Sequence, residues 1–292
     1  MMNRPGIERF RLGPAVVAGM FLWPPAVAAL ETAWEFGVSQ EYSDNIRRAP
    51  EGEETIDVVR TGSIGGRLLA DRAGLEGDAE IRVDYIDYRE GTFDKEVRGQ
   101  GSADLIWHLA PERFSWTLQE RLAVVEERST EPLSPGNRQQ INVFSTGPDY
   151  RLRLGGTRFL DAGARYTDLR YSRSETDNRR MGIQLQLGHR PSPVLENRLI
   201  LDATRTHFPQ RADTRDYDRQ DLYGRTALRG ATTRTIADLG VTSIQRAAGE
   251  DVTGGLARLA WERDMTPVTQ LRLNLAGEYS DTASDLLGRP GE

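Results

Sequence analysis

The sequence predicts an all-β fold: an antiparallel up-and-down transmembrane β-barrel of about thirteen strands, incomplete at its C-terminal end. Three features predict it. Apolar residues recur at every second position, short and long connections alternate strictly, and tryptophan and tyrosine sort to opposite strand ends. The segment Gly74–Tyr85 shows the first feature most clearly. Leu75, Gly77, Ala79, Ile81, Val83 and Tyr85 fall on one face, and Glu76, Asp78, Glu80, Arg82 and Asp84 on the other. Successive side chains of a strand point to opposite faces, so such a strand is apolar on one side and ionised on the other. Lipid outside and water within meet both demands.

The N-terminus fixes the compartment. Arg4, Arg9 and Arg11 precede an apolar run from Pro14 to Trp23, and Ala26-Val27-Ala28 supplies a small-residue cleavage site. Residues 1–29 therefore read as a secretory signal peptide, leaving 30–292 as the barrel domain. The apolar run is short of the roughly 20 residues that a spanning helix needs. The 292-residue chain carries a net charge of -6, 38% hydrophobic and 28% charged residues and 29 glycines, a thin supply for a large buried core. It contains no cysteine, which removes disulfides, thiol chemistry and lipoprotein anchoring together.

Alternation then recurs along the chain. It marks strands at Trp34–Tyr42, Ile56–Ala70, Leu75–Tyr85, Val97–Leu109, Phe114–Val124, Ile141–Leu154 and Phe159–Tyr171. Further strands follow at Met181–Leu187, Leu195–His207, Leu222–Leu228, Thr235–Ile244, Gly254–Trp261 and Leu271–Tyr279. Short turns such as Asp71–Gly74, Ala110–Arg113 and Gly155–Arg158 alternate with long polar loops such as Asp44–Glu54, Arg89–Glu96 and Glu126–Gln139. Tight periplasmic turns opposite ragged extracellular loops are the pattern of an outer-membrane barrel.

The faces extend the pattern to other strands. Arg98 and Asp104 oppose Val97, Gly99, Gly101, Ala103, Leu105, Trp107 and Leu109, with Ile106 the one apolar residue on the polar side. Arg272 opposes Leu271, Leu273 and Leu275. Glu76, Asp78, Glu80, Arg82, Asp84, Arg98, Asp104 and Arg272 are thus the lumen-facing candidates. Trp34, Trp107, Trp116 and Trp261 sit near the tight-turn end and Tyr42, Tyr85 and Tyr279 near the long-loop end, as two aromatic girdles would. Two places fit badly. Glu120 falls among Phe114, Trp116, Leu118 and Leu122, and Gly147-Pro148 interrupts its strand, so a bulge or a strand corner is expected there.

The stretches NVFSTGPDYRLRLG (Asn142–Gly155), DAGARYTDLRY (Asp161–Tyr171) and EYSDNI (Glu41–Ile46) resemble the outer-membrane β-barrel proteins associated with PEP-CTERM and exosortase systems of Gram-negative bacteria. The resemblance runs from about Ala33 to the C-terminus and consists of strand-and-turn text rather than a catalytic signature. It implies a part in exopolysaccharide or surface-protein export, with outer-membrane lipid, polysaccharide or export-machinery proteins as partners. It carries no catalytic residue. Bacterial single-chain barrels close with an even number of strands, whereas the strand pattern is odd and the chain stops on Gly288-Arg289-Pro290-Gly291-Glu292, which is loop text. An incomplete barrel is the resulting expectation.

Chemistry is sparse. Of three histidines, His108 and His189 lie at the tight-turn end and only His207 reaches the ragged end, so no nucleophile–base pair is assembled at the outer rim and no enzyme is expected. The Asp213–Asp221 loop is rich in carboxylates, yet its interspersed arginines argue for a solvated loop over a calcium site. Arg47 and Arg48 beside Glu51, Glu53 and Glu54 read as a mixed-charge loop. No metal cluster, cofactor cradle or nucleic-acid face is evident. Two functions stand: a conduit whose lumenal charges select a polar solute, or a non-conducting barrel whose loops bind polysaccharide or partner proteins.

Overall fold

A computed structural model describes residues 30–127, 136–173, 176–210 and 216–278. The signal segment, Tyr279, Asp213 to Arg215 and the Gly288–Glu292 tail lie outside the described residues.

Thirteen strands follow one another: β1 (Leu30–Ser43), β2 (Asp57–Arg72), β3 (Leu75–Tyr88), β4 (Glu96–Ala110), β5 (Phe114–Val125), β6 (Gln139–Arg153) and β7 (Arg158–Tyr171). After them come β8 (Asn178–Ser192), β9 (Leu195–His207), β10 (Tyr217–Arg229), β11 (Thr233–Arg246), β12 (Val252–Thr266) and β13 (Thr269–Gly277). All belong to one antiparallel up-and-down sheet in strict sequence order. The sheet is not closed: β1 pairs only with β2 and β13 only with β12 among the described residues, which leaves a free edge on each.

The register keeps the two faces apart across the whole sheet. Ala79 stands opposite both Leu68 and Ala103, and Leu201 opposite both Leu185 and Leu222. Apolar side chains therefore line up in rows, and these rows are exposed: Val38 is 93% accessible, Leu239 74% and Met181 65%. The opposite face is concave and polar. Residues from β4 to β12, His108, Thr117, Arg165, Arg198, Arg219 and Arg258 among them, line a single cavity of about 880 Å³, so the sheet curls with its ionised side inward. Among the described residues two small clusters of buried apolar side chains form, Ile141–Val143–Leu169 and Ile200–Tyr223–Leu256, and both sit on this inner face.

The connections shape the ends. Ladders shift at the tight-turn end, between His108 and Ala110, His189 and Ser192, and Asp264 and Thr266, where a strand must bend into a turn of two to four residues. The expected bulge at Gly147-Pro148 is absent. β6 keeps one register with β7 on both sides of the pair, which merely drops out of that ladder because proline has no N–H to donate. Gly147 lies so close to β7 that a Cβ there would meet the Ala164 carbonyl oxygen at 1.9 Å, so the interruption is a close approach of two backbones.

Candidate inner site

The eight residues expected to face inward share the polar face. Arg82 donates to Asp84 (2.9 Å) and Ser63 (3.1 Å), and its guanidinium lies 3.9 Å from Glu35. Glu76 meets His108 Nε2 at 3.3 Å, Asp78 and Glu80 are exposed beside them, and Arg98 pairs with Glu96 at 3.1 Å. Asp104 accepts from Gln119 (2.9 Å) and pairs with Arg121 (2.6 Å), while Arg272 lies 3.3 Å from Glu262.

Charge is segregated around this wall. On β1 to β4 carboxylates dominate: Glu35, Asp57, Asp71, Glu76, Asp78, Glu80 and Asp84 face inward, and Arg67, Arg82 and Arg98 are the inward cations among the described residues of those strands. From β5 onward arginine takes over. Eight arginines and five carboxylates line the cavity itself. Arg151 holds Asp161 with two bonds of 2.6 and 2.8 Å, Arg165 holds Asp149 at 2.6 Å, and Arg225 holds Asp238 with bonds of 2.8 and 2.9 Å. Arg258 bridges Asp238 at 3.3 Å and also pairs with Glu278. Two rings serve as platforms. Phe159 lies under Arg151, Arg190 and Arg198, and Tyr223 under Arg225 and Arg258, each within 6 Å of the ring centre. Phe159 has room because its neighbour across the ladder, Gly188, has no side chain. Such a surface presents many donors and stacking faces to a hydroxylated or charged chain.

The sequence reading singled out the acidic strands and missed this arginine belt. The signal was present, since Arg219, Asp221, Tyr223 and Arg225 alternate with Gln220, Leu222 and Gly224. What the sequence lacked was the stagger that sets Arg225 beside Asp238 and Arg151 beside Asp161.

The six girdle candidates among the described residues lie on the outer face; Tyr279 is outside them. Trp107 stands directly opposite Trp116, Trp116 donates its indole N–H to Thr146 (2.7 Å), and Trp261 stands opposite Leu273. Trp34 packs over Gly66 and is 70% exposed; Tyr42 and Tyr85 are exposed toward the long-loop end. Tyr88 differs: it points inward, is almost fully buried, and meets Phe93 edge-on. Glu120 does face outward, where Asn142 donates to it at 2.5 Å.

The long-loop end is organised by the loops themselves. Asp57, fully buried, accepts from the backbone N–H groups of Val58, Glu90 and Thr92 and so pins the loop after β3. Arg47 reaches from the first loop to the Thr92 carbonyl (3.3 Å) and lies over Phe93. Farther along, Asp216 accepts from the Phe208 N–H (2.8 Å) and meets His207 Nδ1 at 2.7 Å. Burial pushes the Asp216 carboxyl up, but the Phe208 N–H, the His207 ring and nearby Arg205 outweigh it and hold it below its ordinary range. A lowered carboxyl stabilises the folded loop above its unfolded value of about 3.9 and loses that contribution as pH falls through the folded value. Hydrogen exchange at the Phe208 amide, corrected for intrinsic rate, is accordingly expected to stay protected at pH 6 and to lose protection below about pH 4; protection unchanged at the lower pH would refute it.

His189 is exposed on the outer face; His108 stands opposite Ser115 in the β4–β5 ladder but turns its ring to Glu76, and the His207 ring meets Asp216. No group of three or more His, Asp or Glu side chains is gathered to hold a metal among the described residues. No family model matches the chain, and no curated protein matches it.

Proposed function

We propose that the protein forms the wall of an outer-membrane β-barrel that conducts a polar, hydroxylated solute, and that it serves exopolysaccharide or surface-protein export of the PEP-CTERM/exosortase kind. The observation that supports this reading is the inversion of a soluble fold: the apolar face is exposed and the ionised face surrounds the cavity. In water such an exposed sheet would be an aggregation surface, whereas in a bilayer it is the matched one. The segregated inner charges supply a transverse field that favours strongly polar solutes over apolar ones.

The test is electrical. The mature protein, refolded and inserted into planar bilayers, is expected to give sustained single-channel currents that soluble oligosaccharides reduce. Silent bilayers, with insertion verified by protease protection, would refute the conduit. That outcome would favour the second reading, a scaffold whose loops bind polysaccharide or partners, for which the packing of Arg47, Phe93, Tyr88 and Arg138 at the long-loop end speaks.

A further inference from the structure

The wall has a seam. β4 and β5 pair from Ala110–Phe114 only as far as Gly101–Leu122, and the remaining residues at the long-loop end, 96–100 and 123–125, face each other without a ladder. Each side stays bound to its other neighbour: Glu96 still pairs with Ile86 of β3, and Val125 with Gln139 of β6. No register shift occurs at the break, so the ladder ends there without a bulge, and the Leu122 side chain covers Gly99 across it. Gly101, the last paired residue of β4, presses so closely on β3 that a Cβ would lie 2.3 Å from the Glu80 carbonyl oxygen.

Side chains, not backbone, span the seam. Gln140 of β6 reaches past β5 to donate to the Gly99 carbonyl (2.5 Å), and Arg138 donates to the Tyr88 hydroxyl (2.6 Å) and pairs with Glu96. Three of the seven buried polar atoms without a hydrogen-bond partner among the described residues, Arg98 Nε, Arg138 Nε and Gln139 Oε1, lie at the same place. In a membrane, a strand edge and buried polar atoms without partners are strongly disfavoured unless something polar meets them. Yet the outer lips, Val97, Leu122 and Val124, are apolar.

We propose that the upper β4–β5 seam is a lateral port, latched by Gln140 and Arg138, which admits an amphiphile from the surrounding leaflet. The hydrogen-bonding headgroup passes inward to Arg98, Gln100 and Gln139 while the acyl chains stay against Val97, Leu122 and Val124. The inference rests on the membrane reading above, but not on conduction.

The experiment places the protein in lipid nanodiscs containing a phosphatidylethanolamine with a diazirine on its headgroup amine, and maps photo-adducts by mass spectrometry. Adducts are expected at the outward Val97 and Leu122 and also at the inward Arg98, Gln100 and Ser102. The inward Gln184 and Asp202, behind the continuous β8–β9 ladder, should be labelled about tenfold less, because a paired wall excludes lipid. The cysteine-free chain allows a clean Gln100→Cys/Ala123→Cys pair, at the positions that would pair next if the ladder continued; oxidation should abolish the inward adducts and reduction restore them. Adducts confined to outward residues, equal labelling at Gln184 and Asp202, or inward adducts that persist after oxidation would overturn the port. Absence of adducts at outward residues as well would overturn the membrane reading and the port with it.

Discussion

Gly77→Ala is expected to be among the most damaging one-carbon changes in the sheet, costing about 3 kcal/mol or more of folding stability. Gly77 sits in β3 with φ +135°, a region that L side chains rarely adopt, and an added Cβ would lie 1.9 Å from the backbone carbonyl oxygen of Asp104. Neither conflict has a soft solution, because the obstacle is main chain and not a side-chain tip. Gly62→Ala in β2 is the matched control: its Cβ would meet nothing within 4 Å, and the change should stay within about 0.5 kcal/mol of wild type. Urea unfolding of the two variants in detergent micelles decides the matter, and equal midpoints would show that the close approach of β3 to β4 is dispensable.

Asp238→Ala is expected to lose about 3 kcal/mol, the cost of removing a buried carboxylate shared by two half-buried guanidinium groups. The Asp238 side chain is 2% exposed and serves both Arg225 and Arg258, themselves 20% and 14% exposed. Arg258 keeps Glu278, but Arg225 loses the one carboxylate it grips with two bonds. The deletion therefore leaves two guanidinium groups stacked on Tyr223 with one carboxylate fewer between them. Asp238→Asn, which keeps the shape and half of the hydrogen bonding, should fall between the two. Unfolding midpoints of Asp238→Ala and Asp238→Asn that match wild type would mean that water in the cavity already screens the arginines.

The strands were legible because alternation is enforced twice over, by a face that shuns water and a face that needs it. Even the strand limits came close, and β9 runs from Leu195 to His207 as the pattern indicates. The errors fall where the outer face itself turns polar. β8 begins at Asn178 rather than Met181, and β10 at Tyr217 rather than Leu222, because Arg179 and Asp218 carry no apolar mark although the backbone ladder continues through them. Residue type alone does not give a face: Tyr88, an odd three positions beyond the outer Tyr85, points inward and is buried. The inner ion pairs were illegible for a different reason. Period two tells which residues share a face, whereas a pair such as Arg165 and Asp149 depends on how far one strand slides along the next. The β4–β5 seam belongs to the same class, since nothing in Gly99 or Ala123 alone states that their ladder stops.

The free edges on β1 and β13 carry a directional rule. The chain reverses at every connection, so first and thirteenth members of the series ascend alike. Zipping them to each other would demand a parallel join with its slanted bonds, while an antiparallel join demands one descending segment in between. A neighbouring copy in the same bilayer orientation offers only like-directed rims and obeys the same parity. Circular closure is therefore a question of polarity before it is one of length.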